Sequence, residues 1–437
     1  MTKRLPASAA PEPLAAYARH FDDLFAQRSQ RAGFRRSLEG VLLPADRRKT
    51  LTGLAKTEPV AGAQHPRAQG LPWFLSASTW EAATLNERRL ALLRADPATA
   101  PDARGVPIID EHGDRQWGHQ TAHVGRQYLA NLGKTDNGVV AVTSLWADER
   151  VSWPVGGEPY PPAHHCERGK ADPACRTTRA IAGELVAEAV AAGLPGRAVV
   201  ADSCYGEDAG FRQRLVALEV GDVLALTPSH GWWQQEGAIG ARWQAAAVAG
   251  WRDAGAPGAW VEVVRTFRDG HAETWWALAV EAGPYGPGRG LRAVVATTDP
   301  ATLPERSTWY LATNLPAPDA DLAGVVRLYG LRMWVEQGDK QTKHALGWAQ
   351  YQVRADRAIR RHWPLDCCAF AFCWWHESHP AADAAAGRGE HTPPAPAGRL
   401  AGGAARRARL AGAVDHAPTL LARLARPPTA ARAALPP

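Results

Sequence analysis

Apolar residues recur at three- and four-residue intervals from about Leu14 to Leu93. The pattern is clearest through AYARHFDDLFAQRSQRAGFRRSLEGVLL, where Arg31, Arg35 and Arg36 cluster, and it predicts helices. Ser76 to Leu93 begins with N-cap chemistry (SASTWEAA) and continues the helical pattern. A Pro/Asp/Ala-rich linker, Ala95 to Arg104, then breaks it. From Val106 the texture changes. VPIID (Val106 to Asp110), VVAVTSLWA (Val139 to Ala147) and RAVVAD (Arg197 to Asp202) predict buried strands, with a helix over Ala180 to Ala192 stopped by Gly193, Pro195 and Gly196. Strand, helix and strand with little polar alternation predict a mixed α/β sheet covered on both faces. Between Leu224 and Thr313, Trp232, Trp233, Trp243, Trp251, Trp260, Trp275 and Trp276 alternate with short β-prone runs such as WVEVVRTF, which predicts a β-rich insertion. Asp321 to Gln352 then reads as helical and His362 to His376 as an apolar buried helix.

Composition narrows the class. Apolar residues make up 46% of the 437 and charged residues 22%, which excludes a mainly disordered chain, a collagen-like fibre and a disulfide-stapled miniprotein. The most apolar run, Leu365 to Trp375, falls well short of the roughly 20 residues of a spanning helix and contains Asp366, so no membrane association is expected. MTKRLPASAAPEPL carries no apolar secretory core, and a cytoplasmic location is expected. The net charge of +6 suits a polyanionic partner without requiring one. Cys367, Cys368 and Cys373 share an apolar run, where reduced thiols are expected. The tail from His379 to Pro437 is rich in Ala, Pro, Gly and Arg and cannot support a packed core.

Two predicted strands end in an aspartate, Asp110 and Asp202, at the rim of an α/β sheet where active sites collect. Taken singly, such an acid is more often a turn former or a helix cap. In YGLRMWVEQGDKQTK, Tyr329, Arg332, Glu336 and Lys343 are spaced Y-x2-R-x3-E-x6-K, which places all four on one face of a helix. Periodicity alone is also met by a salt-bridged surface stripe.

That spacing resembles the YREK signature of insertion-sequence transposases with a DDE triad. VVADSCYGED (Val199 to Asp208) is similar to the second-aspartate block of that family, and PIIDEHGD with VGRQYLANLGKTDN to the first. WYLATNLP (Trp309 to Pro316) resembles the strand that returns from the insertion to the catalytic helix. The matching blocks run in order from Val106 to Trp375. The resemblance implies an α/β, RNase H-like catalytic core with a β-rich insertion, preceded by a helical N-terminal region. The organisation expected is a helical DNA-binding region over 1–100 and the first part of the core over 101–223. The insertion over 224–313, the second part of the core with the catalytic helix over 314–378 and the basic tail over 379–437 follow.

The resemblance also implies the chemistry. Asp110, Asp202 and Glu336 are the expected catalytic and metal-holding residues, taking two Mg²⁺ ions, with Mn²⁺ able to substitute; hard cations of this kind choose oxygen ligands. Asp110 would bridge both ions, while Asp202 and Glu336 would each hold one. Tyr329, Arg332 and Lys343 are the expected DNA-binding residues, and the partners are the element's terminal repeats and target DNA, with a homodimer on DNA. The implied function is Mg-dependent cleavage at element ends and strand transfer. A structure-selective nuclease on the same core and a catalytically inactive DNA-binding descendant are the alternatives. A hydrolase of other substrates lacks a complete nucleophile–base set. His112 stands where the family carries a small hydroxyl residue, and Gly347–Trp348–Ala349–Gln350 where it carries Gly-Leu-Asp-His. Both departures bear on activity.

Other constellations are weaker. His164, His165, Cys166 and Cys175 are spaced H-H-C-x8-C, which fits no common zinc site. Asp202–Ser203–Cys204 lacks a nucleophile elbow, and GPYGPGRG lacks the Lys-Ser/Thr of a phosphate loop. Asp136 suits a turn. Trp260 and Trp275 suit either the core or a stacking platform for a flipped base, with the core favoured.

Overall fold

A computed structural model of the chain describes residues 12–42, 50–55, 66–228, 250–266, 271–281, 292–316, 321–335, 346–348, 350 and 353–379. Glu336, Lys343, Trp232, Trp233, Trp243 and the basic tail beyond His379 lie outside them.

The chain divides into two compact units. The first comprises residues 1–100, 120–122 and 339–437. Its described helices are α1 (Glu12–Arg19), α2 (Arg28–Val41), α3 (Leu51–Leu54), α4 (Pro66–Pro72), α5 (Ala82–Ala95) and a long helix, Asp356–Ser378. Aromatic side chains fill its interior. Phe74 stacks on Trp80 at 4.9 Å, and Tyr17 packs between Phe21 and Phe372. The Arg361 side chain is buried there because its guanidinium replaces water with protein acceptors: it donates to the carbonyls of Leu75 and Trp80 and lies 4.8 Å over the Trp80 ring. Residues 314–378, expected as one second part of the core, therefore fall into two units: the long helix packs among the N-terminal helices.

The second unit, residues 101–119 and 123–338, is built on one sheet. Its strands are β1 (Val106–Arg115), β2 (Gly125–Leu129), β3 (Lys134–Ala147), β4 (Ser152–Pro159), β5 (Val199–Ala201), β6 (Asp222–Ala225), β7 (Val261–Thr266), β8 (Ala272–Glu281), β9 (Arg292–Thr297) and β10 (Thr308–Thr313). Antiparallel β4, β3 and β1 are followed by β5 and β6 parallel to β1, the RNase H-like arrangement. Helix α6 (Thr178–Ala191) covers one face, its Ile181, Leu185 and Val186 packing on Ile109, Val142 and Val199. Helix α9 (Leu322–Gly330), which follows the short α7 (Ser203–Gly206) and α8 (Ala209–Ala217), covers the other. Its Val325, Leu328 and Tyr329 meet Ile108, Val200 and Val223. Burial on both faces explains the unbroken apolar strand sequences.

The β-rich insertion is not a separate sheet. Strands β10, β9, β8 and β7 continue the core sheet beyond β6 as an antiparallel meander.

Candidate active site

Strand β1 does not end at Asp110, as its sequence suggests; it runs five residues further, to Arg115, hydrogen-bonded throughout to β3. What ends there is its other pairing. The parallel ladder to β5 comprises Ile108 with Val200 and Ile109 with Ala201, so Asp110 and Asp202 are the first residues past the point where the two strands part. A crevice at the carboxyl ends of parallel strands is where α/β sheets hold ligands. Each acid spends one oxygen on a local N–H. Asp110 Oδ1 accepts from the Glu111 amide at 2.9 Å. Asp202 caps α7, its Oδ1 accepting from the Cys204 amide at 2.9 Å. Asp202 is thus both the helix cap and the rim acid between which the sequence could not choose.

The remaining oxygens converge. Arg332 places one guanidinium nitrogen, Nη2, 3.2 Å from Asp110 Oδ2 and 3.9 Å from Asp202 Oδ2. The expected continuous helix over Asp321 to Gln352 is interrupted: helix α9 stops at Gly330, Leu331 and Arg332 form a turn, and helical winding resumes over Met333–Val335, where the described residues pause. Across the interruption the amides of Arg332, Trp334 and Val335 donate to carbonyls three residues back. Gly330 is a poor helix former at that point, and Gly347 has a φ of +85°. The turn at Leu331–Arg332 sits between the two described residues of the expected set. The Tyr329 ring is buried edge-on against Trp309 at 4.9 Å, and Arg332 turns towards the acids. Glu336 and Lys343 lie outside the described residues.

Beneath the acids, Tyr205 packs on Phe211. Burial, then the charges of Glu111, Asp110 and Asp202, hold its phenol well above its ordinary range. Burial and the same acids also raise the Cys204 thiol, which is no nucleophile in this setting. Glu111 follows Asp110 and so lies on the opposite face of β1. Its Oε2 and the Tyr205 hydroxyl are buried without a hydrogen-bond partner among the described residues.

A model of the DDE superfamily endonucleases matches residues 20–277, which include both aspartates. The chain is also 34% identical over 308 residues to the probable transposase for insertion sequence element IS701 of Microchaete diplosiphon, an overlap of 70% of this chain and 73% of that one. The chain belongs to the DDE superfamily, as an insertion-sequence transposase.

A DDE enzyme of this kind uses divalent metal, and the rim acids fit one: two hard oxygen donors from different strands, aimed at a single point and already drawing a positive group. Among the described residues no set of three or more His, Cys, Asp or Glu side chains is gathered as a metal site. The His/Cys cluster of this transposase has another use. His164 and His165 both direct Nε2 at the Val124 carbonyl, at 2.9 and 2.7 Å, which ties the loop after β4 to the start of β2. Trp260 and Trp275 are buried in the sheet, as core packing requires. Asp136 sits within β3, paired with Arg115 and Lys134, rather than in a turn. The contact between Arg332 and the acids escaped the sequence, because periodicity fixes which way a helix points only while the helix continues.

Proposed function

We propose that this transposase cuts DNA at the ends of its element and joins those ends to target DNA, using Asp110, Asp202 and Glu336 to hold two Mg²⁺ ions for which Mn²⁺ can substitute. The observation that carries the reading is the convergence of Asp110 and Asp202 where β1 and β5 part, with both Oδ2 atoms against Arg332. Bound divalent ions would supply Lewis-acid activation of water, and then of a DNA 3′-hydroxyl, for in-line attack on phosphorus. The chain supplies position. The β1–β5 ladder sets the spacing of two acids, backbone amides orient their carboxylates, and Arg332 and Lys343 provide cationic contacts for phosphates beside the scissile bond. Tyr329, buried on Trp309, supports that segment from below. A homodimer on DNA, pairing two element ends, belongs to the same proposal.

The test is cleavage of a duplex carrying the element's terminal sequence, with Mg²⁺ as the only divalent ion. Asp110→Ala, Asp202→Ala and Glu336→Ala should each abolish nicking and joining while leaving DNA binding nearly unchanged. Nicking without joining by the unaltered protein would indicate a nuclease. Binding without nicking would indicate an inactive descendant.

A further inference from the structure

We propose that Arg332 and the divalent ions compete for the same two carboxylate oxygens, and that a DNA phosphate decides the competition by drawing the guanidinium away. The inference rests on the metal-holding role proposed above for Asp110 and Asp202. Each Oδ1 already accepts a backbone N–H, and the Oδ2 atoms are the ones that face Arg332. A single guanidinium nitrogen faces both of them, at 3.2 and 3.9 Å. A cation bridging or neighbouring the two acids needs those oxygens at a little over 2 Å, and no guanidinium can remain between them at that spacing.

The pairing is suited to exchange. Two carboxylates brought together repel, so a positive group between them is favourable whichever group it is. The Asp202 oxygen lies 3.9 Å from the guanidinium, beyond hydrogen-bond length, so that half of the contact is replaced at lower cost. The side chains are only partly shielded, Arg332 being 18% exposed and Asp202 29%, which leaves an approach for a phosphate. A phosphate presents oxygens of the geometry the guanidinium fork prefers. DNA would then favour metal binding, and by linkage metal would favour DNA binding by the same factor. The consequence is a site that loads its ions more readily with substrate in place, which restrains cleavage elsewhere.

The test is Mn²⁺ binding to the full-length protein, followed by electron paramagnetic resonance, without DNA and then with a plain DNA duplex. Arg332→Gln should bind Mn²⁺ about tenfold more tightly than the unaltered protein when DNA is absent, the scale of an ordinary coupling. It should also gain less from added duplex. Arg332→Lys, which keeps the charge, should lie between the two, and it carries the test if the Gln variant does not fold by circular dichroism. Equal or weaker Mn²⁺ binding by both Arg332 variants, at a site that Asp110→Asn abolishes, would overturn the competition and leave the acid pair standing. Undiminished Mn²⁺ binding by Asp110→Asn would overturn the metal-holding reading itself, and this inference with it.

Discussion

Gly206 has no room for a side chain: a Cβ there would sit 1.9 Å from the Ala225 carbonyl oxygen. That absence lets α7, capped by Asp202, lie directly on β6, so the glycine fixes the height at which the acid meets the crevice. Gly206→Ala should cost about 3 kcal/mol, read as a fall in urea midpoint without a change in slope. Asp222 offers a separate test. It is 1% exposed at the start of β6, where its Oδ1 accepts from the Asn314 amide at 3.1 Å while its own amide donates to Asn314 Oδ1 at 2.8 Å. Burial pushes its carboxyl up to about 7 from an ordinary 3.8. The folded protein therefore keeps this proton where the unfolded chain has lost it. The associated stability is full below about pH 4 and declines as pH rises to about 7. Asp222→Asn, which keeps an acceptor and never ionises, should gain on the unaltered protein by about 2 kcal/mol between pH 5 and pH 8 in denaturant titrations, at roughly 1.4 kcal/mol per pH unit discounted for relaxation.

At the scale of elements, the insertion and α9 meet through Val326 and Leu322 packed on Val263, Trp275 and Ala277, with the Arg265 cation beside them. Arg265 on β7 lies 4.8 Å from the Trp275 ring and 4.6 Å from the Trp309 ring, and a Cβ on Gly330 would come 2.7 Å from its guanidinium. The last turn of α9, just before Arg332, thus rests on the insertion's strands. Gly330→Ala should push Arg265 off its rings and lower stability by about 1–2 kcal/mol, with a matching loss of DNA nicking. None of this was visible as pattern. The apolar runs at Val106, Val139 and Val199 announced strands because burial on both faces leaves a sequence imprint, and the Asp110 and Asp202 blocks were legible for the same reason. Pairing partners leave no such imprint. The strand beyond Asp110, the joining of β10 to β6 and the halt of α9 at Gly330 depend on contacts between residues distant in sequence. A helical pattern from Asp321 onwards could not register that Arg332 would be turned towards an acid over 200 positions earlier.

Taken whole, the chain forms two compact units, and the first is assembled from both ends of the described chain. Arg361, from the Asp356–Ser378 helix, closes that unit by satisfying carbonyls between α4 and α5. Arg361→Leu leaves those carbonyls unpaired in the interior and should cost about 2–4 kcal/mol. In calorimetry it should shift the melting of the helical unit while Mn²⁺ binding at Asp110 and Asp202 is retained. The ladder between β1 and β5 carries a different consequence. Its amides lie mid-sheet under two helical layers, whereas the amides of Arg332, Trp334 and Val335 bond only three residues back, at the turn where helical winding is interrupted. Native-state deuterium uptake should therefore be slowest at Val200 and Ala201, released only by complete unfolding, and faster by orders of magnitude over 331–335. The spacing of the two aspartates would then persist as long as the protein stays folded, while the arginine that guards them sits on a segment able to open and reclose many times in that interval.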